Sequence, residues 1–209
     1  MKDRITALEK ADKEETITYE QLAVDLTARL AKCEPDPYVK QALDFALLED
    51  FDHLYRYANL LEMEQGIYAE WLVGRYTEIM PGRPTISHHR FPKDNVRKSI
   101  NSKLADVQTV LDTMIITAAE QQTMNYYMNV GSFYHSDLGR KLYTEIAMIE
   151  EQHVTGYGSL MDPSSTWFES WVMHEYTECY LYYSCYEDES DERIKKIKGA
   201  NTIAMIRTE

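Results

Sequence analysis

The stretch ALLEDFDHLYRYANLLE, residues 46–62, decides the fold class because its apolar side chains recur with the period of an α-helix. Several of its leucines share one helix face with Asp50 and His53, which stand three residues apart. Charged side chains are rarely buried unless they are paired. We therefore predict a helix over 37–64, ended by Gly66, that carries an acid and an imidazole into the protein interior.

The same helical pattern recurs on both sides of this stretch. We expect a polar, frayed segment over 1–15, and a crossover over 66–103 that contains a short helix at 67–79. The crossover is long enough for the next helix to run parallel to the last. The remaining helices are predicted at about 18–33, 104–130, 138–157 and 167–187. No segment alternates as a strand does, so the sequence predicts an all-α protein.

Composition narrows the class of protein further. A chain of 209 residues fits one domain over 1–209, with a charged, solvated tail at 188–209. Its formal net charge of −13 repels phosphate backbones and anionic lipid, so neither a nucleic acid nor a membrane is an expected partner. The N-terminus has no apolar signal region, and the three cysteines lack C-x-x-C spacing. These features predict a cytoplasmic protein without a disulfide framework.

Three more predicted helices carry a carboxylate among their apolar residues. Glu150 and His153 repeat the acid-x-x-His spacing, and Glu120 and Glu178 are lone acids. Together with Asp50, these acids fall roughly 17 to 24 Å from the starts of their helices, at about 1.5 Å of rise per residue. Antiparallel helices bring residues of similar depth to one level. The sequence therefore predicts that these side chains converge in the interior.

A cluster of buried acids needs compensating positive charge. Ionised carboxylates in a core are costly to desolvate and repel one another. Two divalent cations remove this conflict, and an oxygen and nitrogen ligand set suits iron, with manganese or zinc as alternatives. We predict a two-ion metal site whose candidate ligands are Asp50, His53, Glu120, Glu150, His153, Glu178 and Glu49.

Taken in order, these motifs resemble the ferritin-like di-iron carboxylate superfamily, which includes rubrerythrin and bacterioferritin. The resemblance covers residues 37–187. It implies an antiparallel four-helix bundle, here four long helices plus the N-terminal helix and the crossover helix. It also implies two iron ions and an iron-dependent oxidoreductase that uses dioxygen or peroxide.

The resemblance does not decide the identity of every ligand. The family order is acid, acid-x-x-His, acid, acid-x-x-His, so the first acid must be Glu20 or Glu178. Because Glu20 stands in the first turn of its predicted helix, where an acid is favoured without any metal, Glu178 is preferred. Asp50 is one methylene shorter than the usual Glu, which leaves Glu49 as an alternative. His174, one turn before Glu178, is expected to be a hydrogen-bonding partner more often than a ligand.

Two other functions remain open at this point. The first is a zinc- or manganese-dependent hydrolase that uses the same pocket, and the second is a metal-free interaction or structural bundle. An oxidoreductase of this kind would need a separate reductase, since no rubredoxin-like C-x-x-C module is present. Apolar Trp and Tyr faces on helical bundles are typical of chains that form homodimers, so a homodimer is expected.

Overall fold

The computed structural model describes residues 2–73 and 92–207, and within these ranges the regular structure is helical, with no strand. This confirms the predicted all-α class. The helices are α1 (Lys2–Cys33), α2 (Pro37–Gln65), α3 (Glu70–Val73), a 3₁₀ turn (Pro92–Asn95), α4 (Val107–Phe133), α5 (Asp137–Gly158), α6 (Trp167–Asp188) and α7 (Glu192–Arg207). Of the short helix predicted at 67–79, the structure describes only α3, and residues 74–79 lie outside the described ranges. No helix among the described residues is long and apolar enough to cross a membrane.

The chain packs as two compact units, Met1–Met161 and Asp162–Glu209. The first unit contains α1 to α5, and the second contains α6 and α7, which pack against each other. The charged tail predicted at 188–209 therefore provides α7. We predicted one domain over 1–209, and the contacts divide that span into these two units.

Four long helices of the first unit form a ring. Helix α1 packs against α2 and α4, and α5 packs against the same two helices. Later residues of α1 meet earlier residues of α4: Tyr127 hydrogen-bonds Glu20, and Thr109 hydrogen-bonds Glu34. Helices α1 and α4 are therefore antiparallel, and the three-residue turn after Cys33 reverses the chain between α1 and α2. Helices α2 and α4 thus run parallel, as predicted from the long connection between them.

Local capping explains where α2 begins and ends. Asp36 accepts a hydrogen bond from the backbone N–H of Tyr38 at 2.8 Å, and Pro37 occupies the first turn, where no N–H is needed. Gly66 ends the helix with φ of 65°, a conformation that favours glycine. The predicted bounds of α2 are confirmed to within a residue.

Helix α1 begins earlier than predicted, at Lys2 instead of near residue 18. The segment 2–33 contains neither proline nor glycine, so nothing in its sequence interrupts a helix. We took the polarity of residues 1–15 as a sign of fraying, yet polar residues of high helix propensity continue the helix. This extension places Glu20 in the interior of α1 instead of in its first turn.

A buried carboxyl pair joins the end of α1 to the start of α4. Asp112 is fully buried, accepts a hydrogen bond from Gln108 at 2.6 Å, and lies beside Glu34. Burial, together with the charge of Glu34, raises the pKa of Asp112 to about 7. The folded state therefore binds a proton that the unfolded state releases, and stability falls as the pH rises from about 4 to about 7.

Asp112→Asn is expected to stabilise the protein above neutral pH, because the amide is never charged and its NH₂ group can donate to Glu34. We expect a gain of about 1 to 3 kcal/mol near pH 8 that shrinks towards zero near pH 4. Urea unfolding at both pH values measures it. Asp44→Asn, at an exposed residue that pairs with Lys40, is the matched control. A loss of stability at pH 8 would contradict this explanation.

Candidate metal centre

Six buried side chains from the four helices of the ring meet in the core of the first unit. Each is exposed by 4% or less of its surface. They are Glu20 on α1, Asp50 and His53 on α2, Glu120 on α4, and Glu150 and His153 on α5.

These side chains form two groups, each with three candidate ligand atoms within 4.8 Å of one another. The first group consists of Glu20, His53 and Glu150, and the second consists of Asp50, Glu120 and His153. Each group combines two acids with one imidazole. Two oxygens and a nitrogen at this separation form a three-ligand set of the kind that holds a divalent cation.

Glu150 connects the two groups. Its Oε1 atom lies 2.9 Å from Nδ1 of His53, and its Oε2 atom lies 3.3 Å from Nδ1 of His153. The two imidazole rings are 5.9 Å apart between centroids. One carboxylate therefore faces both imidazoles and could contact an ion held in either group.

The convergence follows from helix geometry. Residues three apart lie on one helix face, so each acid-x-x-His motif presents both of its side chains to the same side. Helices α2 and α5 are antiparallel, since His53 pairs with Glu150 and, one turn later, Arg56 pairs with Glu145 at 2.8 Å. The two motifs consequently face each other at one level.

Burial removes water from the acids of the cluster, and this desolvation is the main cause of their pKa shifts. Burial and the charge of Glu150 raise the pKa of both Glu20 and Glu120 well above the usual value. Burial also raises the pKa of Asp50 to about 6, although His153 opposes the shift. In the absence of a cation, these acids therefore release their protons at a higher pH than exposed acids do.

Glu150 and His153 have pKa shifts that make each of them charged more readily. Burial would raise the pKa of Glu150, but the adjacent His53 and His153 hold it below its usual range. Burial would likewise lower the pKa of His153, but Glu120 raises it well above the usual value. The cluster thus concentrates its negative charge on Glu150, the carboxylate that lies beside both imidazoles.

These side chains suit metal ions better than they suit a network in which they only hydrogen-bond one another. One oxygen of each of the four acids accepts no hydrogen bond within the described part of the chain. Buried polar atoms are usually paired, and an unpaired carboxylate oxygen costs folding free energy. A divalent cation would satisfy these oxygens. The four atoms are Glu20 Oε2, Asp50 Oδ1, Glu120 Oε1 and Glu150 Oε2.

Glu49 lies outside both groups, on the far side of His153. Its Oε2 atom is 2.9 Å from Nε2 of His153, whereas Nδ1 of the same ring faces Glu120 at 3.5 Å. The side-chain amide of Gln152 also donates to Glu49, at 3.3 Å. Of the two alternatives left open on α2, the structure places Asp50 among the candidate ligands and Glu49 behind the imidazole, where it orients the ring.

The structure brings Glu20 into the cluster, whereas the sequence argument preferred Glu178. Glu20 is fully buried, and its Oε1 atom lies 3.8 Å from Nδ1 of His53. Glu178 and His174 belong to α6 of the second unit, where Glu178 is partly exposed and His174 is exposed, and neither group of candidate ligands includes them. The preference rested on a helix start near residue 18, and α1 begins sixteen residues earlier, at Lys2.

Two hydrogen bonds from hydroxyl groups support the candidate ligands. The hydroxyl of Tyr127 donates to Glu20 at 2.5 Å, and the hydroxyl of Thr27 donates to Asp50 at 2.9 Å. Thr27 follows Glu20 by seven residues, two helical turns, so it lies on the same face of α1. The seven-residue spacing therefore indicates that Thr27 lies near the cluster, provided that Glu20 is buried.

Fold and site together define an all-helical protein with a buried cluster of acids and imidazoles that can hold metal ions. The chain matches no protein-family model, no curated protein and no solved structure. The ferritin-like resemblance therefore stays a prediction.

Proposed function

We propose that this chain is a ferritin-like carboxylate protein that binds two iron ions and carries out an oxidation with dioxygen or peroxide. The observation that supports the proposal is the pair of buried acid, acid and imidazole groups joined by Glu150. Two three-residue groups that lie on either side of one carboxylate fit two ions at close range better than they fit a single ion.

The order of the cluster residues along the chain supports the same class. With Glu20 as the first acid, the order becomes acid, acid-x-x-His, acid, acid-x-x-His, the order of the ferritin-like family. With Glu178 as the last acid instead, the order along the chain would differ from the family order. The parallel α2 and α4 helices, joined by a long connection, also agree with a bundle that has one crossover.

Charge balance favours two dications. Four carboxylates carry four negative charges when ionised, and two divalent ions neutralise them without charging either imidazole. Imidazole and carboxylate ligands suit iron, although manganese and zinc compete for such sites. When bound, two iron ions would supply two electrons through their ferrous and ferric states, the number that reduces one hydrogen peroxide to two waters.

The protein's own residues would bind the ions and orient the ligand side chains. Glu150 lies beside both imidazoles and could contact an ion in either group, and the hydroxyl of Tyr127 fixes Glu20 by donating to it. Glu49 accepts from Nε2 of His153 when that nitrogen is protonated, which leaves Nδ1 free to face the cluster. The surrounding apolar residues of α2 and α5 exclude bulk water, and this strengthens every charge interaction in the site. We propose that a separate reductase supplies the electrons.

Metal analysis followed by ferrous loading tests the proposal. Protein purified without added metal is expected to contain iron, and the apoprotein should take up two ferrous ions per chain without oxygen. Addition of peroxide or air should then produce the charge-transfer absorption of a diferric carboxylate centre. Zinc as the sole metal would favour the hydrolase alternative. Failure to bind any of iron, manganese or zinc would favour the metal-free bundle.

A further inference from the structure

A cavity of about 200 Å³ lies beside the candidate metal centre, between α2, α5 and the segment that follows residue 92. Its lining includes His153 and Tyr157 of α5, and Asn95 and Arg97 of the segment that follows residue 92. Ligand pockets for drug-sized molecules usually measure about 300 to 1,000 Å³. The cavity is therefore suited to a small molecule held next to His153.

Arg97 contributes a cation that no described carboxylate neutralises within ion-pair distance. Its backbone N–H donates to Ser159 Oγ at 2.7 Å, and its guanidinium carbon lies 6.0 Å from the centre of the Phe45 ring. Gly156 lies beside it: a Cβ at that position would be in ordinary van der Waals contact with the Arg97 Nε atom, at 3.6 Å. An unneutralised arginine in a chain of net charge −13 indicates a binding role for the guanidinium.

Two buried polar side chains of the cavity also lack partners. Asn95 is 6% exposed, and neither the oxygen nor the nitrogen of its amide makes a hydrogen bond within the described residues. The hydroxyl of Tyr157, a residue 2% exposed, likewise makes none. Such groups cost folding free energy unless a ligand or solvent satisfies them. They therefore point to a polar occupant.

We propose that this cavity binds a small carboxylic acid, with its carboxylate on Arg97 and the Asn95 amide and its carbon chain directed towards His153. A guanidinium and an amide NH₂ supply the donors that a planar carboxylate accepts from two sides. Asp94 also lines the cavity, but it forms no ion pair with Arg97 among the described residues, so the guanidinium can pair with an anion. Two dications would also neutralise the four acids of the metal centre. The inference rests on the proposed function in one respect: the bound acid is the substrate or the product of that centre.

Titration calorimetry of the full chain with propionate tests the inference. Propionate is expected to bind the iron-loaded protein and, more weakly, the metal-free protein, in which no cations neutralise the acids of the metal centre. Binding without metal separates the cavity from direct coordination of the acid to iron. Arg97→Gln should weaken binding roughly 10- to 100-fold through loss of a charge-assisted hydrogen bond. Arg140→Gln, at an exposed arginine of α5 that pairs with Asp137, is the matched control and should leave binding unchanged.

A second variant and two other ligands, one neutral and one inorganic, test the same inference. Gly156→Leu places a side chain against Arg97 and should also abolish propionate binding. Propanamide, which is neutral, should bind much more weakly, and equal binding of propanamide or of inorganic phosphate would overturn the carboxylic acid assignment. Iron content separates the two proposals. Two irons without propionate binding overturn this inference alone, whereas propionate binding without iron overturns only the proposed function.

Discussion

Glu150→Gln is expected to abolish the binding of both metal ions while the helices stay folded. Glu150 belongs to one group directly and lies 3.3 Å from His153 of the other, so its loss removes a negative charge from both. An amide keeps the size of the side chain but carries no charge. Loss of a residue that merely supports a ligand costs roughly 10- to 100-fold in metal affinity, and we expect a decrease beyond that range. Metal analysis after gel filtration measures it.

Glu151→Gln is the control for this variant because it changes the neighbouring acid on the same helix. Glu151 is partly exposed and accepts a hydrogen bond from Thr155 on its own helix, away from both candidate groups. It should retain two ions per chain. Circular dichroism of both variants checks that each remains helical. Two tightly bound ions in Glu150→Gln would exclude the shared carboxylate as a ligand.

Saturating ferrous iron is expected to raise the melting temperature of the protein by roughly 10 to 20 °C under anaerobic conditions. Each site filled at about 100 times its Kd contributes about 2.7 kcal/mol, so two sites contribute roughly 5 kcal/mol. A domain of about 150 to 250 residues gains about 2 to 4 °C per kcal/mol. The cations also satisfy carboxylate oxygens that accept no hydrogen bond in the described structure.

The increase in melting temperature caused by iron should depend on pH in one direction. Burial raises the pKa of Asp50 to about 6, so below that pH a proton competes with the cation for its carboxylate. The increase in melting temperature should therefore be smaller near pH 5 than near pH 7.5. Glu150→Gln should show little increase at either pH. An unchanged melting temperature with iron, manganese and zinc alike would support the metal-free bundle.

The helical class and both acid-x-x-His motifs were predictable because they depend on local periodicity. A spacing of three residues places Asp50 with His53, and Glu150 with His153, on one helix face whatever the rest of the fold does. Capping residues such as Asp36 and Gly66 likewise act on the nearest turn. The near-equal depth of the acids in their helices then indicated a common level.

The choice between adjacent residues was not predictable in the same way. Glu49 and Asp50 differ by about 100° around the helix axis, and both are buried. Which of them faces the cluster depends on how α2 is rotated against α1 and α5. The structure directs Asp50 towards Glu120 and His153, and it directs Glu49 to the opposite nitrogen of the imidazole.

The sequence by itself determined that α2, α4 and α5 are helical and which residues can pair along one helix, because those properties arise within a few turns of backbone. Only the tertiary structure decided that Glu20 completes the cluster and that Arg97 and Asn95 line a cavity beside it. These residues are far from His153 along the chain. Their proximity depends on the packing of separate helices, which no local pattern records.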